Sequence, residues 1–355
     1  MADNSNKKTV WDALTIAIPA YSRPVELVQL LQSIEQMRIL PGEVLICEDK
    51  SPERELIRGI AATWTPALGQ HGCVLHYVEN TENLGYDGNV RKLFAEASRD
   101  WVMLMGNDDL VLPDAVPAIQ AFRERFADVR MISRTYFKFQ RDIGNTIGLT
   151  KLAGADCVYD RSNATSGMIV RLTGFVGGLI VNRAFALRAS TNAYDGTLYY
   201  QVLLAALAFC DSGLGYIATP IVASRAGNTP LFGSASKERS VHKPGSYSAD
   251  SRLAMWRGIL RICSDVEKQA GVPILRGIRR ELGGNQSFHV FELVAVQGRR
   301  ETWRFARGLY RMGLFVNPRV WLLTAAGLLL GRRVRSLFGF ARTLQGNHFR
   351  RERRA

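Results

Sequence analysis

Asn107-Asp108-Asp109 sets two carboxylates side by side directly after the apolar run from Trp101 to Met105. Neighbouring carboxylates repel unless solvent or a cation lies between them, and Mg2+ or Mn2+ held jointly with phosphate oxygens supplies such a cation. The chemistry this suits is departure of a diphosphate whose growing charge a divalent ion screens. An Asn-Asp-Asp stretch also makes a favourable solvated turn, the simpler reading of the motif alone. Two sister stretches shift the balance. Pro19-Ala20-Tyr21-Ser22-Arg23 follows the apolar run Leu14 to Ile18, and Glu48-Asp49-Lys50-Ser51 follows Glu43 to Cys47.

These runs belong to a repeated alternation of two periods. Leu14 to Ile18 reads as a buried strand ending at Pro19. Ser22 is the expected cap of a helix with Pro24 in its first turn and Leu27, Leu30, Leu31 and Ile34 on its apolar face. Strands are expected at 43–47, 74–78 and 101–105, and helices at 53–63, 87–97 and 113–125. Four strand–helix units predict an α/β domain with a mostly parallel sheet, whose ligands bind at the carboxyl ends of the strands. Residues 141–175 are Gly-rich and polar without a clear period, so they read as an excursion over that edge. A strand (177–181), a helix (200–209) and a short strand (214–217) follow. Residues 226–247 read as a Gly-, Ser- and Pro-rich loop, and the pattern is helical from Asp250 almost to the end.

Several chemistries lack their motifs. There is no G-x-G-x-x-G after the first strand, no G-x-x-x-x-G-K-[ST], no H-E-x-x-H and no G-x-S-x-G. Five widely spaced cysteines without a C-x-x-C pair suggest reduced thiols rather than disulfides or zinc. Met1 to Val10 has no apolar core of the signal-peptide kind, and no run reaches the roughly 18 apolar residues of a spanning helix, so a cytoplasmic protein is expected. The formal charge of +14 is concentrated. Fourteen arginines and two glutamates lie between Arg299 and Ala355, leaving the preceding 298 residues near neutrality.

Four motifs in order resemble family 2 glycosyltransferases of the GT-A fold over roughly residues 12–225. They are Ile18-Pro19-Ala20-Tyr21-Ser22-Arg23-Pro24, Leu45-Ile46-Cys47-Glu48-Asp49-Lys50-Ser51, Asn83-Leu84-Gly85-Tyr86 and Met105-Gly106-Asn107-Asp108-Asp109. Gly85-Tyr86-Asp87-Gly88-Asn89 and the stretch from Phe175 to Arg183 look most like abequosyltransferase-type enzymes of bacterial O-antigen assembly. The resemblance implies a GT-A catalytic domain over residues 1–248 and a helical, Arg-rich extension over 249–355. It also implies transfer of a sugar, such as a deoxyhexose, from a nucleotide diphosphate donor to a glycan or lipid-linked glycan acceptor with inversion, using Mn2+ or Mg2+.

Carried over by position, Pro19, Tyr21 and Arg23 would line the nucleotide pocket, with Glu48 or Asp49 accepting hydrogen bonds from the base. Asn83 and Gly85 would let backbone approach the nucleotide, with Arg91 near enough to assist. Asp109 is the expected metal ligand, with Asp108 beside the ribose or the metal. Asn107 stands where the family has Asp, which lowers the charge offered to a cation. Asp195 is the one acid near the family's base position, although it could simply turn the chain before a helix. His242 is the candidate late metal ligand, although a solvated loop histidine would look the same. Arg225, in an Arg-x-Gly-Asn stretch, could face the diphosphate.

Val320 to Leu330 followed by Arg332-Arg333-Val334-Arg335 and Leu337-Phe338-Gly339-Phe340 interleaves apolar and basic residues, as helices lying in the headgroup plane do. The expected location is therefore peripheral, at the inner face of the cell membrane. A helix packed on the catalytic domain with an exposed Arg face is the alternative. No nucleic-acid-binding module accompanies the tail. Two other functions remain to be weighed. A sugar-phosphate nucleotidyltransferase would want a Gly- and Arg/Lys-rich loop after the first strand, where this chain has Ala20 to Pro24. A catalytically silent binding protein on the same fold is kept open by Asn107 and the missing acidic pair.

Overall fold

A computed structural model describes residues 8–229, 231–239, 242 and 248–331. Ten strands run in chain order: β1 (Thr9–Ala20), β2 (Ile39–Glu48), β3 (Val74–Glu79), β4 (Trp101–Leu104), β5 (Leu110–Val111), β6 (Met131–Gln140), β7 (Asp142–Thr150), β8 (Cys157–Tyr159), β9 (Leu179–Asn182) and β10 (Leu214–Arg225). The helices of the first half are α1 (Pro24–Glu35), α2 (Arg54–Gly69), α3 (Gly85–Glu96), α4 (Ala115–Arg125), α5 (Gly167–Thr173) and α6 (Arg183–Arg188). Then come α7 (Tyr200–Asp211), α8 (Ser236–Arg239), α9 (Ala249–Ala270), α10 (Leu275–Glu281), α11 (Ser287–Gln297), α12 (Arg299–Arg311) and α13 (Pro318–Leu330).

The strands form one sheet in the order β3-β2-β1-β4-β9-β6-β10-β5, with β7 on β6 and β8 on β10. Pairing is parallel across β3-β2-β1-β4 and between β6 and β10, while β9 runs antiparallel to both its neighbours. Six strands therefore share one direction, and their carboxyl ends lie along one edge. Successive side chains leave opposite faces of a strand, and the core divides accordingly. Ile16, Ile18, Val44 and Ile46 join the cluster of Leu27, Leu30, Leu31 and Ile34 from α1 with Phe122 from α4. Ala17, Leu45 and Cys47 join the opposite cluster, with Phe94 from α3 and Tyr200 from α7. Each fully buried α1 leucine contributes roughly 1.5–3 kcal/mol. The same second cluster continues into Trp256, Phe291, Phe305, Leu309 and Val320, so the C-terminal helices pack as part of the sheet's own helical layer.

The four predicted strand–helix units are present. Four features differ from expectation. Ser22 does not cap α1. It and Arg23 both adopt left-handed backbone (φ 56° and 64°), no side chain caps the helix, and the Arg23 N–H donates instead to Glu53 at 3.2 Å. Period-two reasoning does not foresee β6, because Arg134 and Lys138 interrupt its apolar run. The stretch 141–175, without a period in sequence, contains β7, β8 and α5. Almost all of β7 is exposed, so no buried face imposes an alternation. Finally, β10 runs to Arg225, eight residues beyond the expected strand, and delivers that arginine to the carboxyl edge. The Arg332–Phe340 part of the tail lies outside the described residues. Among the described residues no helix is long and apolar enough to cross a membrane.

Candidate active site

A cavity of about 200 Å³ opens at the carboxyl edge of β1, β2 and β4. Pro19, Tyr21 and Arg23 come from the β1 tip, Asp49 from β2 and Asn107 from the turn after β4; Asn83, Gly85, Tyr86 and Asn89 come from the start of α3. Seven of the residues proposed from sequence thus meet in one place. Leu231, Phe232, Ser234, Ala235 and Glu238 cover it, none of which the sequence pattern singles out.

Asp49 is buried and anchors the start of α3. One carboxylate oxygen accepts from Asn80 Nδ2 (2.7 Å) and Leu84 N (2.8 Å), the other from Gly85 N (3.0 Å), so the side chain holds the first turn of α3. Burial pushes its pKa up against these lowering hydrogen bonds. Glu48 lies outside the cavity lining. It accepts from Lys50 N, Ser51 N and Arg54 Nε at 2.9, 2.7 and 2.6 Å, and so builds the turn that presents Asp49. Gly85 has φ +74°, and a Cβ there would lie 2.6 Å from Glu238 Oε1, so backbone freedom and close approach both require glycine.

The Asn107-Asp108-Asp109 turn is tied down from three sides. Asn107 Nδ2 donates to the Ser22 carbonyl at 2.8 Å, and Asp108 Oδ2 accepts from Arg23 and from Asn228 Nδ2 at 2.8 Å. Arg225 donates through its backbone N to Asp109 Oδ1 (3.0 Å), through Nε to the Asp108 carbonyl (2.9 Å), and onward to Arg141 O and Gln29. Every guanidinium nitrogen of Arg225 is engaged, with the group stacked on Phe139 at 4.6 Å, so it buckles the acidic turn. Asp109 is 5% exposed, and its other oxygen sits where a Cβ on Gly106 or on Gly177 would approach to 2.7 Å. Burial first, and the Asp108 charge second, raise the Asp109 pKa to about 8. The buried Arg134 guanidinium, packed on Phe175 and Tyr136, partly offsets this, and burial lowers its own pKa to about 10.

Among the described residues no three His, Cys, Asp or Glu side chains cluster so as to hold a metal by themselves. Asp108 and Asp109 nevertheless fit a divalent ion of the Mg2+ kind, which is held by one or two carboxylates while substrate phosphates and water complete its shell. A cation there would relieve the burial and like-charge cost that raises the Asp109 pKa. His242 is not part of the cavity lining, although it packs behind Phe232 and Glu238, which are. It is buried, with Nδ1 on Ser251 at 2.8 Å and its ring edge-on to Phe232, and burial lowers its pKa.

Arg91 and Asp195 are drawn together, away from the cavity lining. Arg91 pairs with both Asp195 oxygens, and Lys237 Nζ reaches the same carboxylate at 3.0 Å. Asp87 is a further buried acid that the sequence did not single out. Its oxygens accept from Leu198 N (2.8 Å) and Tyr200 N (2.9 Å), joining α3 to the start of α7, and burial lifts its pKa to about 7.

A parallel sheet carrying acidic turns at its carboxyl edge, with a cavity over β1 and β2 and helices on both faces, defines a GT-A glycosyltransferase fold. Solved structures similar to the chain include S. aureus TarS 1-349 in complex with UDP-GlcNAc, at TM-score 0.58 and 14% identity. TarS 1-349 without a named ligand (TM-score 0.57) and with UDP (0.55) are similar as well, each at 13% identity. In all three, 93% of this chain and 87% of the other are covered. Such identity speaks to fold. No curated protein matches in sequence. Residues 15–147 match the model described as Glycosyl transferase family 2, so the chain carries a domain of that kind and is a glycosyltransferase.

Proposed function

We propose that the protein transfers a sugar from a nucleoside diphosphate donor to a glycan or lipid-linked glycan acceptor in bacterial surface polysaccharide synthesis. The observation that carries this reading is the convergence of Pro19, Tyr21, Asp49, Gly85 and Asn107 on one cavity beside the Asp108-Asp109 turn. Tyr21 and Pro19 offer apolar walls for a base, and Asp49, although it holds α3, keeps acceptor capacity for base N–H groups. Asp108 and Asp109 would hold Mn2+ or Mg2+, and such an ion would supply positive charge to the departing diphosphate. Arg23, which already reaches Asp108, supplies a second positive group at that end of the cavity.

The cavity is smaller than the roughly 300 Å³ or more of ordinary ligand pockets. Segment 231–239 therefore has to swing outward to admit a nucleotide sugar. Asp195 becomes a general base for an inverting displacement only if its carboxylate is freed from Arg91 as well as from Lys237, and the same movement carries away Lys237 alone. The resemblance to abequosyltransferase-type enzymes favours a deoxyhexose as the transferred sugar. The Arg-rich 249–355 extension favours a peripheral position on the membrane. Adding Mn2+ together with UDP, GDP, CDP or TDP should raise the melting temperature for at least one base. No shift with any of them removes the donor site. Asp109→Ala should keep the fold and lose both transfer and the Mn2+-dependent part of that shift.

A further inference from the structure

A larger cavity, of about 890 Å³, lies away from the candidate active site. It forms where the segment 161–171 meets α10 and the start of α13. Arg161, Arg171, Arg276, Arg280 and Arg319 line it, against one acid, Glu281. Arg171 spends its charge on Glu281 at 2.8 Å. Arg161, Arg276 and Arg280 form no ion pair among the described residues, although Arg161 follows Asp160 in the chain. Three guanidinium groups around one concavity repel one another unless an anion lies among them, and planar guanidinium groups suit phosphate oxygens better than any other side chain.

The rim of this cavity continues into an apolar surface. Asn317 and Arg319 belong to the lining, and the chain on either side of them carries a stack of aromatic rings. Tyr310 meets Phe315 edge-on at 5.8 Å, and Phe315 meets Trp321 at 4.6 Å. Tyr310, Trp321 and Leu322 are 66%, 58% and 71% exposed. Exposed aromatic rings and leucine beside arginine are the composition of a surface seated at the headgroup level of a bilayer.

We propose that the arginine cavity binds the phosphate of an anionic lipid headgroup while Tyr310, Trp321 and Leu322 enter the interface beside it. This inference rests on the membrane-surface reading above and makes no use of the donor site. The lipid source is favoured over a free phosphate because the apolar surface is continuous with the cavity. A soluble anion would gain nothing from that surface.

The test is co-sedimentation of the full chain with phosphatidylcholine vesicles, with or without phosphatidylglycerol, over a range of lipid concentrations. At about 1 kcal/mol per basic residue, Arg276→Ala with Arg280→Ala should weaken binding to phosphatidylglycerol vesicles roughly 25-fold. A charge-matched pair outside the cavity, Lys138→Ala with Arg188→Ala, should change it far less. Trp321→Ala with Leu322→Ala should also weaken binding, and millimolar inorganic pyrophosphate should not abolish it. Equal losses in the two charge-matched pairs, or none in either, overturn the proposal, since any attraction would then be diffuse. Tight binding of pyrophosphate that displaces the vesicles and is lost in the cavity pair would assign the cavity to a free phosphate and overturn the lipid source. Nucleotide-induced thermal shifts measured on the same variants keep this outcome separate from that of the donor site.

Discussion

Glu238 is the residue on which closure of the donor cavity turns. One of its oxygens accepts from Tyr86 N at 2.7 Å and the other from Gly233 N at 2.6 Å. The Gly233 bond lies within segment 231–239 and travels with it. Among the described residues the Tyr86 bond is the hydrogen bond seen to fasten the segment to α3, with Lys237 on Asp195 as a second tie to the rest of the domain. A net hydrogen bond to a charged group is worth about 1.5–3 kcal/mol, so Glu238→Ala should shift the closed–open balance by about that amount. A site available only when open binds its ligand more weakly by the open fraction. The variant should therefore bind nucleoside diphosphate and Mn2+ about 10- to 100-fold more tightly, at 1.4 kcal/mol per tenfold. The ligand-free protein should become less stable at the same time, by about 1–3 kcal/mol, because the Tyr86 N–H loses its partner. Glu238→Gln, which keeps an acceptor oxygen without the charge, should fall between. Isothermal titration and denaturant unfolding measure the two effects. Unchanged or weaker nucleotide binding in Glu238→Ala would refute the argument, since Glu238 would then be a ligand-binding group or irrelevant to closure.

Two further outcomes follow from the same structure. Gly177→Ala places a methyl 2.7 Å from Asp109 Oδ2 and 2.8 Å from Phe175 Cζ. It should displace the carboxylate and abolish the Mn2+-dependent thermal shift while the far-UV circular dichroism stays native; a full shift in this variant shows that Asp109 need not hold its position. Asp87 carries a folded pKa of about 7 against roughly 3.9 in the unfolded chain. The folded state then binds more protons between those values, so the group's relative stabilisation is complete below pH 4 and lost as pH rises through 7. The whole effect is at most about 4 kcal/mol. Asp87→Asn should flatten the wild-type decline in stability between pH 4 and 7, as urea midpoints across that range will register, and parallel curves for the two proteins contradict it.

The class of this protein was written in local features. Apolar runs of strand length, each ended by Pro19, Glu48-Asp49 or Asn107-Asp108-Asp109, are short-range patterns, and the pleat and the helical period turn them into strands and faces without further information. A parallel sheet then brings the three tips to one edge, which is why the donor cavity could be anticipated residue by residue. Long-range partners decided the rest. Asp49 faces the cavity, held by Asn80, Leu84 and Gly85, more than thirty residues on, while Glu48 is claimed by its own turn. Arg225 as a buckle on the acidic turn, and Arg91 and Asp195 as partners of each other, arise from residues more than one hundred positions apart. The cover of the cavity by Phe232 and Glu238, and the arginine cavity between α5 and α10, have no periodic signature at all. A side chain's charge is a property of its residue, but which opposite charge or backbone group it meets is fixed only when distant segments pack.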